Sequence, residues 1–178
     1  SSAPTPNSND VLSRLLTLYL LELLDSTSFT RDLGSLRYAM VTDAGGFMRG
    51  ASYSPGVVAC GPTGSTATRF TWDKDGTYGD WYGGHELGHA LGREHTLACK
   101  EDPPAAVQNT NGSISPVFAG DEEMHGFNIG TRAIYDSGWT DIMTYCRWQW
   151  ISGATYEALI AAVPEAKARA EELGASRA

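Results

Sequence analysis

The sequence predicts an α+β fold in one domain, or in one domain that a deep cleft splits into two lobes. Three observations lead there. The 178 residues suit one domain rather than several. Runs over 11–24 and 78–91 have the length and punctuation of helices. Between them lie short stretches of β-branched and aromatic residues, bounded by Gly, Pro and Asp, which read as strands.

In chain order, residues 1–10 are rich in Ser, Pro and Asn and read as a linker or a processed end. A signal or pro-segment removed upstream fits that reading. Segment 11–24 reads as a buried helix capped by Asn9 or Asp10. Arg14 and Glu22 interrupt it, and it is too short to span a bilayer. Strands are expected over 36–42, 47–53 and 66–72, separated by turns at 43–46, 54–56 and 73–76. The helix over 78–91 should stop at Gly92. Segment 100–123 has little periodicity, which is usual for a functional or mobile stretch. A short strand or turn follows over 127–135. The last helix starts at Ser152 or Thr155 and carries Tyr156, Leu159, Ile160 and Val163 on one face. Pro164 kinks or restarts it, and 165–173 reads as a solvated helix.

Composition narrows the function. Hydrophobic residues make up 42% and charged residues 19%, so the chain can build a packed core. With 21 acidic against 13 basic side chains and no Lys/Arg cluster, a nucleic-acid partner is excluded, because phosphate contacts need a basic face. Three cysteines without a CxxC exclude a zinc ribbon or thioredoxin-like motif. One disulfide plus one odd thiol fits an exported protein. Three buried thiols in a cytosolic protein fit the count equally well.

The chemistry concentrates in the HELGHALGREH stretch over 85–95. Residues four apart on a helix project from the same face on successive turns. His85 and His89 can therefore share one zinc ion, and Glu86 reaches the edge of that face as the base for water. A continued helix would carry His95 away. Gly92 can adopt the left-handed conformation that ends a helix, which folds His95 back to the ion. Three imidazoles leave a position open for water, as in a catalytic site.

The pattern HExxHxxGxxH, as it stands at His85 to His95, resembles the zinc signature of the metzincin clan of metalloproteases. The DIMTYC stretch over 141–146 resembles that clan's methionine-containing turn, and with WIS at 150–152 it looks closest to a bacterial group near the pappalysins. The resemblance implies a metzincin-like catalytic domain over 11–178. Its upper lobe would span about 11–95, with a twisted mixed sheet and the active-site helix. Its irregular lower lobe would span about 96–178 and end in a helix. Met143 would floor the three histidines. Tyr145 is either a zinc-side hydroxyl that donates to the oxyanion or a locally satisfied tyrosine. In the family a strand precedes the first helix; here none does, so the chain is trimmed or the sheet is one strand short.

From the same resemblance, the expected activity is zinc-dependent endopeptidase cleavage of extracellular proteins. The substrate would lie extended along the 47–55 rim strand, beside a pocket near Arg147 and Trp148. Cys99 and Cys146 both flank segments that converge on the zinc, which implies a disulfide between them and leaves Cys60 free. A secreted monomer without a membrane span is expected. Asp73, Asp75 and Asp80 hint at calcium, although an Asp/Gly turn explains them better. Asn111 heads a glycosylation sequon that reads as a plain loop, and His125 reads as a surface or capping residue. Two other functions use the same ligands: a zinc-bound module that only binds peptides, and a hydrolase of non-protein amides. Retention of Glu86 argues against the first, and an open strand edge argues against the second.

Overall fold

The computed structural model describes residues 7–24, 35–43, 47, 49–64, 78–96, 112–116 and 119–175. They form a mixed α+β arrangement of three helices and small sheets. In order these are α1 (Ser8–Leu24), β1 (Arg37–Val41), β2 (Ala51–Ser52), β3 (Val58–Pro62), α2 (Gly79–Ala90), β4 (Gly126–Asn128), β5 (Ala133–Tyr135), β6 (Thr140–Asp141), β7 (Gln149–Trp150) and α3 (Gly153–Ala175). The 66–72 strand and the 73–76 turn lie outside the described residues, as does most of 100–123.

The N-terminal half is organised around β3. It pairs in parallel with β1, Arg37 opposite Val58 and Val41 opposite Pro62, and antiparallel with β2, Ala51 opposite Cys60. Every residue of β3 is buried, because α1 and α2 both pack against it. The sequence pattern predicts no strand here. Its signal is the short unbroken apolar run over 57–60, which marks a strand covered on both faces but cannot be told from a helix fragment by periodicity. The expected strand over 47–53 shrinks to β2. Phe47 turns into the core instead of joining the ladder, and the chain reverses at 53–58, where the Gly56 N–H donates to the Ala90 carbonyl at 2.8 Å.

The helix α1 starts earlier than expected. Asn7 is its cap, its side-chain oxygen accepting from the Asn9 N–H at 2.9 Å, so residues 8–10 are helical and not linker. The helix is buried on one face only. Leu12 and Tyr19 join Phe47, Val57, Val58 and Cys60 in the core, whereas Leu18 and Leu21 face water. A helix lying on one side of a sheet has a single stripe to bury. Tyr78, at the start of α2, donates its hydroxyl to the buried Asp43 carboxylate at 2.5 Å, tying the helix to the end of β1.

In the C-terminal half, β4 and β5 form an antiparallel hairpin and β6 pairs in parallel with β7. Ser152 caps α3 through its hydroxyl, which accepts from the Thr155 N–H at 3.1 Å. The helix runs through Pro164 unbroken, neither stopped nor restarted there. Tyr156, Ile160 and Val163 do share a face, but all three are exposed. Among the described residues no helix is long and apolar enough to cross a membrane.

Cys60 is a free, fully buried thiol on β3, donating to the Ser8 carbonyl at 3.5 Å. Burial pushes it from an ordinary 9.0 up to about 11, the nearby Glu86 charge adding in the same direction. The protonated thiol is therefore favoured by folding. Its contribution is complete below pH 9.0 and is lost as pH rises towards about 11. Urea unfolding near these two limits should show the wild type losing about 2 kcal/mol more than Cys60→Ala. Equal losses in the two proteins would dismiss this role for the thiol.

Candidate metal centre

Two of the three histidines are placed by α2 itself, and the third by how α2 ends. The Gly92 N–H donates to the His89 carbonyl at 2.8 Å and the Arg93 N–H to the Gly88 carbonyl at 2.9 Å. With Gly92 at φ +87°, this is the paired hydrogen-bond turn that closes a helix through a left-handed residue. The chain reverses there, and His95 swings back over the face carrying His85 and His89.

The three Nε2 atoms form a triangle: His85 to His95 3.1 Å, His85 to His89 3.2 Å, His89 to His95 3.0 Å. Donors bound at ~2.0–2.1 Å to one tetrahedral ion stand roughly 3.3–3.4 Å apart. The observed sides lie within a few tenths of an ångström of that spacing.

Tautomers sharpen the fit. The Nδ1 of His85 lies 2.7 Å from the Ile142 carbonyl, and the Nδ1 of His89 lies 2.7 Å from the Arg93 carbonyl. A carbonyl only accepts, so both Nδ1 atoms carry the proton and both Nε2 atoms present a lone pair. No proton stands between those two Nε2 atoms, and their approach at 3.2 Å is not a hydrogen bond. Lone pairs aimed at one point are stabilised by a cation. These are the bonds that orient metal-ligating imidazoles. The group therefore fits a metal ion, and among the described residues it is the only set of three His, Cys, Asp or Glu with that geometry.

Burial reinforces the neutral form. It drives His85 down to about 3 against the pull of the Ile142 hydrogen bond, and the facing His89 and His95 rings push the same way. It also lowers His89. Glu86, next along α2, is buried and held up at about 7 by desolvation, the Ser52 side-chain hydrogen bond acting in the opposite sense. Its carboxyl packs on the backbone of Gly50, where any Cβ would collide with it.

The segment 141–145 packs beside the triangle. Ile142 supplies the carbonyl for His85, and the Met143 carbonyl accepts from the Thr96 N–H at 3.1 Å, one residue past His95. The fully buried Met143 side chain lies against Gly88, whose lack of a Cβ leaves room for the sulfur. Tyr145 is half-exposed, its ring centroid 4.4 Å from that of His95 and 5.4 Å from that of His85. The Trp81 ring centroid lies 5.2 Å from that of His85.

Five contributors escaped the sequence reading: Ser52, Trp81, the Arg93 and Ile142 carbonyls, and Asp141. Backbone carbonyls carry no sequence signal. Asp141 was visible as the first residue of DIMTYC, but nothing marked it as buried. Its carboxylate accepts from the Met143 N–H at 2.8 Å and the Ser152 N–H at 3.0 Å, joining the methionine turn to the start of α3. Arg93, lowered by burial and raised by the Asp141 charge, donates to the Thr155 hydroxyl at 3.2 Å.

Other expected residues fall elsewhere. Cys146 is disulfide-bonded, and Cys99 lies outside the described residues. Asp73, Asp75 and Asn111 also lie outside them, and Asp80 is an exposed residue in the first turn of α2. His125 is exposed and apart from the triangle; Arg147 is exposed on the turn. Cys60 takes no part in the cluster. No protein-family model matches the chain, and comparison with curated proteins and with solved structures returns no significant similarity.

Asp141 generates a prediction. Asp141→Ala leaves two buried N–H groups without an acceptor and should lower the stability of metal-stripped protein by about 3 kcal/mol in urea unfolding, with Asp141→Asn losing about half as much. If Asp141→Ala unfolds at the wild-type midpoint, the carboxylate is not what holds the turn.

Proposed function

We propose that this chain is a zinc-dependent endopeptidase of the metzincin kind. The observation that carries the reading is the Nε2 triangle of His85, His89 and His95, with the first two rings locked as Nδ1–H tautomers. It is supported by the sequence pattern in which those residues stand and by the buried Met143, which packs against Gly88 of the same helix.

His85, His89 and His95 would hold the ion. When bound, zinc supplies Lewis acidity and makes water acidic near neutral pH. Glu86 would accept the proton of the attacking water and pass it to the leaving amine. The Tyr145 hydroxyl, on a ring beside His95 and His85, would donate to the oxyanion as charge develops there. Among the described residues the strand β2 stands last in the order β1-β3-β2, on the side where Glu86 is held, so a substrate laid along it would gain main-chain hydrogen bonds. The disulfide at Cys146 would reach Cys99, the partner that remains once Cys60 is a free thiol, and suits a secreted protein.

Casein digestion tests the reading. Purified protein should contain stoichiometric zinc and cleave casein, lose activity with a chelator and regain it with zinc. Glu86→Ala should keep the zinc and lose activity by at least about 100-fold. Cleavage that survives this substitution would overturn the mechanism, and absence of metal would overturn the site.

The tyrosine is tested separately. Tyr145→Phe should lower kcat by about tenfold or more with little change in KM. Full turnover would remove the hydroxyl from the reaction.

A further inference from the structure

A second concavity lies in the C-terminal half, with none of the three histidines in its walls. It encloses about 330 Å³ and is lined by Ile114, Met124, Phe127, Trp150 and Tyr156 among others. This is near the lower end of the volumes that hold ligands, roughly 300 Å³. Three of those side chains remain about half in water: Met124 at 47%, Phe127 at 53% and Tyr156 at 55%. From Tyr156 the apolar surface continues along α3 through Ile160 and Val163, both exposed. Their spacing places them on one helix face, about 10 Å long. Contiguous apolar surface with a recess at one end marks an interaction site more often than chance exposure.

The walls are fixed in advance. The Met124 N–H donates to the buried Ser115 hydroxyl at 2.8 Å, the Ser152 N–H to Asp141, and the Tyr156 N–H to the Ser152 carbonyl at 2.9 Å. A groove held this way needs little ordering when something binds.

Charge selects the occupant. Among the described residues no lysine or arginine lines the recess. The exposed carboxylates of Asp121 and Glu122 precede Met124, and the exposed Glu157 follows Tyr156 on α3. The chain carries a net charge of -8. We infer that this groove docks a polypeptide segment in which apolar side chains alternate with lysine or arginine. The apolar groups enter the recess and follow the α3 stripe, and the cations meet the flanking carboxylates.

The test uses the full chain carrying Glu86→Ala, so that no peptide is consumed. The probe is a short fluorescein-labelled peptide alternating lysine with leucine and phenylalanine, read by anisotropy. Two control peptides replace the lysines by glutamate, or the apolar residues by serine. The lysine-apolar peptide should bind at least about tenfold more tightly than either control. Adding Phe127→Ser with Tyr156→Ser, or Glu157→Lys, should weaken it about tenfold or more. Circular dichroism checks folding; should the double variant unfold, Ile160→Ser on the open helix face serves instead. Equal binding of all three peptides overturns the proposal, as does undiminished binding to the groove variants. Displacement of the peptide by N-acetylphenylalanine amide at similar concentration would make the recess a small-molecule pocket. A dimer that the same substitutions dissociate would assign the face to a second copy of the chain. Either result also overturns the proposal. Because the metal centre plays no part in the readout, failure here leaves the peptidase reading standing.

Discussion

Two hydrogen bonds from ring nitrogens to backbone carbonyls govern the centre of this protein. Each takes the single ring proton of a neutral imidazole and leaves the opposite nitrogen as a lone pair. With His85 and His89 locked this way, their Nε2 atoms approach without a proton to share, and His95 completes the triangle. Alone, such an approach is unfavourable, since partial negative charges face one another. A cation reverses the sign. The fold thus holds in place an arrangement whose stabilisation would come from an ion, and burial keeps the rings in the uncharged state that binds one.

Those carbonyls come from opposite sides. One belongs to Arg93 and exists in that position because Gly92 turns the chain back at the end of α2. The glycine therefore acts twice: it returns His95 to the site and presents the acceptor that orients His89. The other carbonyl belongs to Ile142, in a turn built around the buried Asp141 carboxylate. The Gln149 side chain adds to that turn by donating to the Thr144 carbonyl at 2.7 Å. A metal held by the three rings would depend on the turn only through the Ile142 carbonyl that orients His85, so its affinity is coupled to the docking of the turn on the helix.

Asp141 also links the centre to the rest of the C-terminal half. One carboxylate oxygen holds Met143 and the other holds Ser152, the cap of α3 and a wall of the apolar groove. The groove and the triangle are thus neighbours through a single residue. This network is polar and largely buried, which makes it costly to leave incomplete. It explains how a half with only two-stranded sheets and strands of two or three residues among its described residues is held together.

What the sequence determined alone was which three histidines meet and their local geometry. Spacing of four on a helix and a glycine before the third histidine are short-range facts, and they dictate which side chains can meet. The extent of α2 and the cap of α3 were legible for the same reason. Tertiary structure decided what depends on distant partners. The buried strand β3 owes its state to two helices that cover it, not to its own residues. Phe47 left its strand for the core, and Tyr156, Ile160 and Val163, apolar at helical spacing, stayed in water because nothing among the described residues covers them. The tautomers of His85 and His89 were out of reach as well. A backbone carbonyl is the same in every residue, and only the folded chain determines which one a ring nitrogen meets.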